Sequence, residues 1–120
     1  MTNLNIYTIA QQLTQSFQDS NQYLPIKLNF YIQKNKKILT ALAQDVEESR
    51  LAIIKHYSVL DEKTGNYFVP KDKIAAANKE IEDLLAIEQE VNILTTKFED
   101  IPSDISLTTG QMEAIMFMIE

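Results

Sequence analysis

The chain has 120 residues and a net charge of −6, and it contains no cysteine, two glycines and three prolines. A chain of this length forms one domain with its own core, so we expect a single domain over residues 1–120. The lack of cysteine excludes disulfides and thiolate metal sites. The negative charge argues against nucleic acid as the main partner, because phosphate neutralisation drives such binding.

The first predicted element is a helix over residues 4–18. Apolar side chains recur there at steps of three and four, which is the spacing of one helix face: Leu4, Tyr7, Ala10, Leu13 and Phe17. Asp19, Ser20 and Asn21 are typical of a break after it.

The second helix is predicted to start at Pro25, because proline suits a first helical turn. One apolar stripe continues from Leu24 to Tyr57. This stripe predicts some 33 residues of helix, about 50 Å long. Asn35 interrupts the stripe, and we expect a polar notch at a bend or register point there, the alternative being a ligand-binding group.

Residues 59–69 are predicted to break the helical pattern. Asp61–Asn66 forms a turn in which Gly65 takes a positive φ, and Tyr67, Phe68 and Val69 are strand formers. A third helix follows Pro70 and carries apolar residues as far as Val91, with acids between them.

Alternating β-branched residues predict a strand over roughly 91–98, with the strand at 67–69 as its partner, and 105–107 is a further short extended piece. Thr108 and Gln111 fit a capping box, which predicts a last helix from Thr109 with Gly110 in its first turn. This helix is apolar almost all round, so it lies either in the core or against a partner.

The charges divide between the two long helices. Residues 24–58 carry a net charge of +3, and residues 70–100 carry −4. This division predicts that the two helices lie against each other. We therefore expect a mainly α fold (α+β): a long antiparallel helical hairpin with N- and C-terminal helices and a small two- or three-stranded sheet.

Catalytic and metal-binding patterns are missing from the sequence. His56 is the one histidine, and it lies near the C-terminal end of the second helix. The helix dipole favours a histidine at such a position. The acids of the third helix fall on several faces, as on a solvated surface. We predict no catalytic residue, no metal ligand and no cofactor.

Two groups of residues are candidates for partner binding. Lys34, Lys36 and Lys37 lie near Tyr31 and could bind an anion or an acidic partner, although a solvated face against the third helix explains them as well. The other group is Met112, Met116 and Met118, because methionine recurs at partner-binding surfaces. Core packing is the alternative for these methionines.

Three stretches carry a resemblance: LPIKLNFYIQKN, DEKTGNYFV and FEDIPSDISLTTGQMEAIMFMIE. Over residues 24–120 the chain resembles a family of small, uncharacterised helical proteins of phages and prophages of Gram-positive bacteria. The resemblance implies a virus-encoded accessory protein and brings no site residues with it.

The expected function is non-enzymatic binding of a host or phage protein, either as a virion assembly factor or as an inhibitor of a bacterial defence component. The expected location is the cytoplasm of the host bacterial cell. The start of the chain lacks the basic and apolar regions of a signal peptide. The longest apolar run, at 114–119, is far below the roughly 20 residues of a membrane span.

Two other functions are alternatives to binding a host or phage protein. The chain could be a homo-oligomer, such as a homodimer, or a weak nucleic-acid or anion binder that uses the basic helix.

Overall fold

The computed structural model describes residues 1–19 and 22–120, and it is mainly helical with one small antiparallel sheet. This confirms the predicted mainly α fold with a small sheet, which has two strands. The helices and strands of the described part follow in chain order: α1 (Asn3–Ser16), α2 (Ile26–Tyr57), β1 (Val59–Leu60), β2 (Tyr67–Phe68), α3 (Ile74–Ala86) and α4 (Thr109–Ile115). Short 3-10 turns occupy Lys71–Lys73, Phe98–Asp100 and Met116–Met118.

Helix α1 starts at the side chain of Thr2, which accepts a hydrogen bond from the backbone N–H of Asn5 (3.1 Å). Its predicted apolar face was partly wrong, since Leu4 is 50% exposed and Ile6 is fully buried in its place. Asn3 explains the rotation: it is buried, and its Nδ2 donates to the carbonyl of Leu84 (2.8 Å). Of the predicted break, Ser20 and Asn21 lie outside the described residues.

Helix α2 runs unbroken for 32 residues, about 48 Å at the usual rise per residue. It begins after Pro25 and ends where the hydroxyl of Ser58 donates to the carbonyl of Ile54 (2.6 Å), both as predicted. Its buried face is formed by Leu28, Ile32, Asn35, Leu39 and Val46. The N-terminal half of this face lies in the core with α1 and α4.

The predicted turn at Asp61–Asn66 is confirmed, and Gly65 has a φ of +74°. The carbonyl of Asp61 accepts from the N–H of Gly65 (2.8 Å), and the N–H of Asp61 donates to the carbonyl of Asn66 (2.9 Å). This local hairpin pairs β2 with β1, in the register Val59 with Phe68 and Leu60 with Tyr67. The predicted pairing of 67–69 with 91–98 is therefore wrong.

No strand forms over 91–98 or 105–107. The backbone of Leu94 bonds to the side-chain amide of Asn35 instead of to a strand, with both distances 2.8 Å. Thr96 makes a single parallel bridge to Ile119. The backbone groups of Leu94 and Thr96 thus form their hydrogen bonds with separate partners and not with one neighbouring strand. The β-branched segment therefore does not become part of a sheet.

The predicted capping box at the start of α4 is confirmed. Gln111 donates its N–H to Oγ1 of Thr108 (3.1 Å), and its Oε1 accepts from the N–H of Thr108 (3.0 Å). Gly110 lies in the first turn, as expected. Ala114, Ile115 and Met118 place this end of the chain in the core.

The molecule is elongated, with extents of 59 × 29 × 20 Å and a radius of gyration of 18.7 Å. A compact domain of this length has a radius of about 14 Å. The buried residues concentrate in the part formed by α1, the first half of α2, and α4. The second half of α2, the β-hairpin and α3 form what we call the arm, residues 47–86. Helix α3 contacts α2 but is only 13 residues long, and it stops at Ala86 rather than near Val91.

Candidate protein-binding surfaces

Four lysines of the N-terminal half of α2 lie in a stretch without acids. Residues 20–44 contain Lys27, Lys34, Lys36 and Lys37 and no aspartate or glutamate, so the rest of the chain carries a net charge of −10. The helical repeat places Ile26, Lys27, Phe30, Lys34 and Lys37 on the side of α2 opposite its buried face. We call these five residues the basic face.

The basic face is exposed to solvent and includes two large apolar side chains. Ile26 is 87% exposed and Phe30 is 59% exposed. An open depression of about 510 Å³ lies between the side chains of this part of the helix. All its lining residues come from α2: Phe30, Gln33, Lys34, Lys36, Lys37 and Thr40. It is a surface between flexible side chains rather than an enclosed pocket.

The predicted contact between these lysines and the acids of α3 is not formed as ion pairs. Within residues 1–19 and 22–120, the ion pairs are Glu47–Arg50 in α2, Lys79–Asp83 in α3, and the N-terminus with Glu88. Lys27 instead lies over the ring of Tyr31, with Nζ 5.6 Å from the centroid. The explanation of the lysines as a face paired with α3 is therefore not supported.

The methionines do not join the lysines in one site. Met118 is fully buried, and its Sδ accepts from Nδ2 of Asn35 at 3.6 Å, so it has no surface for a partner. Met112 is half-buried, and Met116 is 60% exposed. Met112 borders an apolar groove of about 250 Å³, which is also lined by Phe98, Ile101, Pro102, Ser103, Ile105 and Leu107. Core packing accounts for Met118 and part of Met112.

The arm carries an apolar surface that the sequence analysis missed. None of residues 47–76 is buried, although six large apolar side chains of this segment are between 44% and 71% exposed. We call these six the arm patch: Leu51, Val59, Leu60, Tyr67, Phe68 and Ile74. One signal in the sequence could have revealed this patch: each strand of the hairpin has two adjacent apolar residues. Adjacent residues of a strand point to opposite faces, so both faces of the hairpin carry apolar side chains.

The pKa shifts belong to local contacts on the arm. A hydrogen bond from Arg50 lowers the pKa of Glu47, and the same bond raises the pKa of Arg50. The carboxylate of Asp83 raises the pKa of Lys79. Partial burial raises the pKa of Tyr57, and the negative charge of Glu80 on α3 adds to the effect. The shifts of Glu47, Arg50 and Lys79 come from ion pairs within one helix, and that of Tyr57 comes from its partial burial and from Glu80 on α3. None of these groups lies in a cleft among the described residues.

Groups for catalysis are not gathered in the described part of the chain. His56 lies in the last turn of α2, where its ring meets the ring of Tyr57 edge-on at 4.9 Å between centroids. Among the described residues, no group of three or more His, Asp or Glu side chains is placed to hold a metal ion.

Searches for similar proteins find no matching family model, no matching curated protein and no matching solved structure. Among the described helices, none is both long enough and apolar enough to span a membrane.

Proposed function

We propose that this chain is a non-enzymatic accessory protein that binds an acidic protein partner through the basic face of α2. The observation that carries the proposal is the basic face itself: three lysines without an ion-pair partner among residues 1–19 and 22–120, beside two exposed apolar side chains, on a chain that is otherwise strongly acidic. Lys36 and Tyr31 flank this face.

The two kinds of side chain supply different parts of the binding energy. Lysines attract an acidic surface over distance and orient it, which raises the association rate more than the affinity. Phe30 and Ile26 supply apolar area that becomes buried on contact, and aromatic anchors of this kind dominate binding energy at interfaces. A helix face with apolar residues at 26 and 30 suits a helical or extended acidic segment.

Binding of nucleic acid through the same face is the competing function. Lysines interleaved with aromatics, here Lys27, Phe30, Tyr31 and Lys34, are also the elements of a single-strand binding surface. Against this, the rest of the chain carries −10, which repels a long polyanion that extends beyond the face. An acidic protein segment of limited length avoids that repulsion, so we favour a protein partner.

The resemblance to phage and prophage proteins supports a virus-encoded origin. On that basis we propose a role as a virion assembly factor or as an inhibitor of a bacterial defence component, in the cytoplasm of the host cell. We also propose that α2 and α3 act as a long antiparallel helical hairpin, with α3 returning along the second half of α2. Helix α3 packs against α2, which supports this arrangement.

The experiment compares charge reversals at two places. The wild-type chain, the double variant Lys34→Glu/Lys37→Glu and the control Lys55→Glu/Lys97→Glu are immobilised and exposed to a lysate of a Gram-positive bacterium. All four lysines are exposed, so both variants make the same charge change without touching the core. We expect an acidic protein that the wild type and the control retain, and that the Lys34/Lys37 variant loses.

Binding of the captured protein, once purified, should weaken with added salt and with Phe30→Ala. Capture that is equal for all three proteins would contradict the proposal. So would single-stranded DNA or RNA that binds at low salt and is lost in the Lys34/Lys37 variant, because the face would then serve nucleic acid. A hydrolase or transferase activity abolished by one side-chain change would contradict the non-enzymatic assignment.

A further inference from the structure

The arm exposes apolar surface without a core beneath it. Residues 47–76 include no buried residue, and α3 has a single one, Ala77. The six residues of the arm patch nevertheless keep between about half and three-quarters of their side chains in water. Single exposed apolar residues are ordinary, but six large ones within 24 consecutive residues call for an explanation.

The β-hairpin at the centre of the patch is open on both faces. In the antiparallel register, Val59 lies opposite Phe68 and Leu60 lies opposite Tyr67. Neighbouring residues of a strand point to opposite faces, so each face carries one apolar cross-strand pair. All four residues are exposed, by 45% for Val59 and up to 71% for Tyr67. An isolated two-stranded hairpin is only marginally stable in water, so covering either face would stabilise it.

The total surface of the chain is large enough to supply an interface. The accessible surface is 8370 Å² for 13.8 kDa. A compact monomer of this mass exposes about 6,600 Å², and a standard interface takes about 800 Å² from each partner. The excess of about 1,700 Å² belongs to the whole elongated chain, and it is about twice what one copy contributes to a standard dimer interface.

The charges around the patch favour a second copy of this chain as the occupant. Residues 59–73 carry three acids and three lysines, a net charge of zero on a chain of −6. Two copies repel each other through their net charge of −6, and residues 59–73 add nothing to that repulsion. In a two-fold interface, each lysine of one copy can face an acid of the other. We infer that one face of the β-hairpin, within the arm patch, is a two-fold homodimer interface, distinct from the basic face of α2.

Sedimentation velocity tests the inference on the full chain over a range of micromolar concentrations. We expect a monomer–dimer equilibrium in the wild type. Tyr67 and Phe68 lie on opposite faces of the hairpin, so the substitution on the covered face, either Tyr67→Lys or Phe68→Lys, should raise the dimer dissociation constant by about tenfold or more, because a lysine at the centre of an interface must lose its water. Tyr23→Lys and Met116→Lys replace residues that are 86% and 60% exposed outside the arm, and they should leave the equilibrium unchanged.

Circular dichroism checks that each variant keeps its helices. A second measurement, the distance between spin labels in two copies, does not require a substitution that disrupts the interface. The chain has no cysteine, so Thr64→Cys in the turn and Gln12→Cys on α1 each give a unique site for a spin label. We expect a short distance between two copies for the label at 64 and a long one for the label at 12. A wild type that stays monomeric throughout, or a dimer that Tyr67→Lys and Phe68→Lys leave intact, would overturn the inference. So would a short distance for the label at 12 alone.

Discussion

Asn35 holds the backbone of Leu94 at both of its polar groups. Nδ2 of Asn35 donates to the carbonyl of Leu94, and Oδ1 accepts from its N–H, each at 2.8 Å. Asn35 is fully buried among apolar residues of α2. One side chain thus fixes how the segment after α3 lies along the long helix, which is the register role expected for a buried polar group.

Replacement of this clamp should destabilise the chain strongly. Asn35→Leu keeps a similar volume but leaves the N–H and carbonyl of Leu94 without their partners, so we expect a loss of about 2–4 kcal/mol in the free energy of unfolding. Urea denaturation measures it. Asn29→Leu, at an exposed position on the same helix, is the matched control and should change the free energy by less than about 0.5 kcal/mol. Equal effects of the two changes would show that the clamp is unimportant.

Gln111 joins the cap of α4 to the rest of the core. Beyond the capping box, its Nε2 donates to the carbonyl of Ser16 (2.8 Å), and its amide pairs reciprocally with that of Gln22. We expect Gln111→Ala to lower the free energy of unfolding by about 2 kcal/mol, and Thr108→Ala, which removes only the cap, by about 1 kcal/mol. Thermal or urea unfolding would rank them, and a larger loss for Thr108→Ala would contradict this account.

The ion pair of Glu47 with Arg50 should make a small, pH-dependent contribution to stability. The hydrogen bond from Arg50 (2.6 Å at the shorter contact) lowers the pKa of Glu47 from its usual 4.5. A lowered pKa in the folded state means that the stabilisation is complete above 4.5 and is lost as the pH falls through the lower value. The difference in unfolding free energy between the wild type and Glu47→Gln should therefore be constant at neutral pH and vanish in acid.

Arg50→Gln provides the second half of that test. It removes the same hydrogen bonds from the other side, so its pH dependence should follow that of Glu47→Gln. The double variant should add nothing further. A difference that grows as the pH falls would show that the sign of the effect is wrong.

The two glycines should respond to alanine with opposite signs. Gly65 has a φ of +74° with open space around it, so Gly65→Ala strains only the backbone, and we expect a loss of about 1 kcal/mol. Gly110 lies inside α4, where an added Cβ meets nothing closer than 3.9 Å. Gly110→Ala should therefore stabilise the chain by roughly 0.5–1 kcal/mol. Amide exchange at Asp61 and Gly65 reports the first, and global unfolding reports the second.

Local signals in the sequence were sufficient for several elements. The start of α2 at Pro25, the turn with Gly65 and the capping box of Thr108 and Gln111 each depend on residues within a few positions of one another, so the sequence predicts them directly. The long stripe of α2 likewise predicted a single helix, and the residue that interrupts it, Asn35, bonds to the backbone of Leu94.

The errors concern contacts between distant parts of the chain. Residues 91–98 have the alternation of a strand, but strand formation needs a neighbouring strand, and the place beside this segment is taken by Asn35 and the C-terminal residues. The apolar face of α1 was rotated because Asn3 binds Leu84, a residue 81 positions away. Lys34 and Lys37 were proposed as partner-binding residues from their helical spacing, and this stays a prediction. The arm patch depends on which residues α3 leaves uncovered, and the sequence does not show that.

One unbroken helix connects the two ends of this molecule. Residues of α2 near Leu28 and Ile32 are anchored in the core, while Leu51 and Tyr57 belong to the arm, and no proline or glycine lies between them to act as a hinge. The helix is therefore stiff along its length, so a force or a small rotation applied at the hairpin also moves the lysines at the other end. Whatever engages one end would then orient the other.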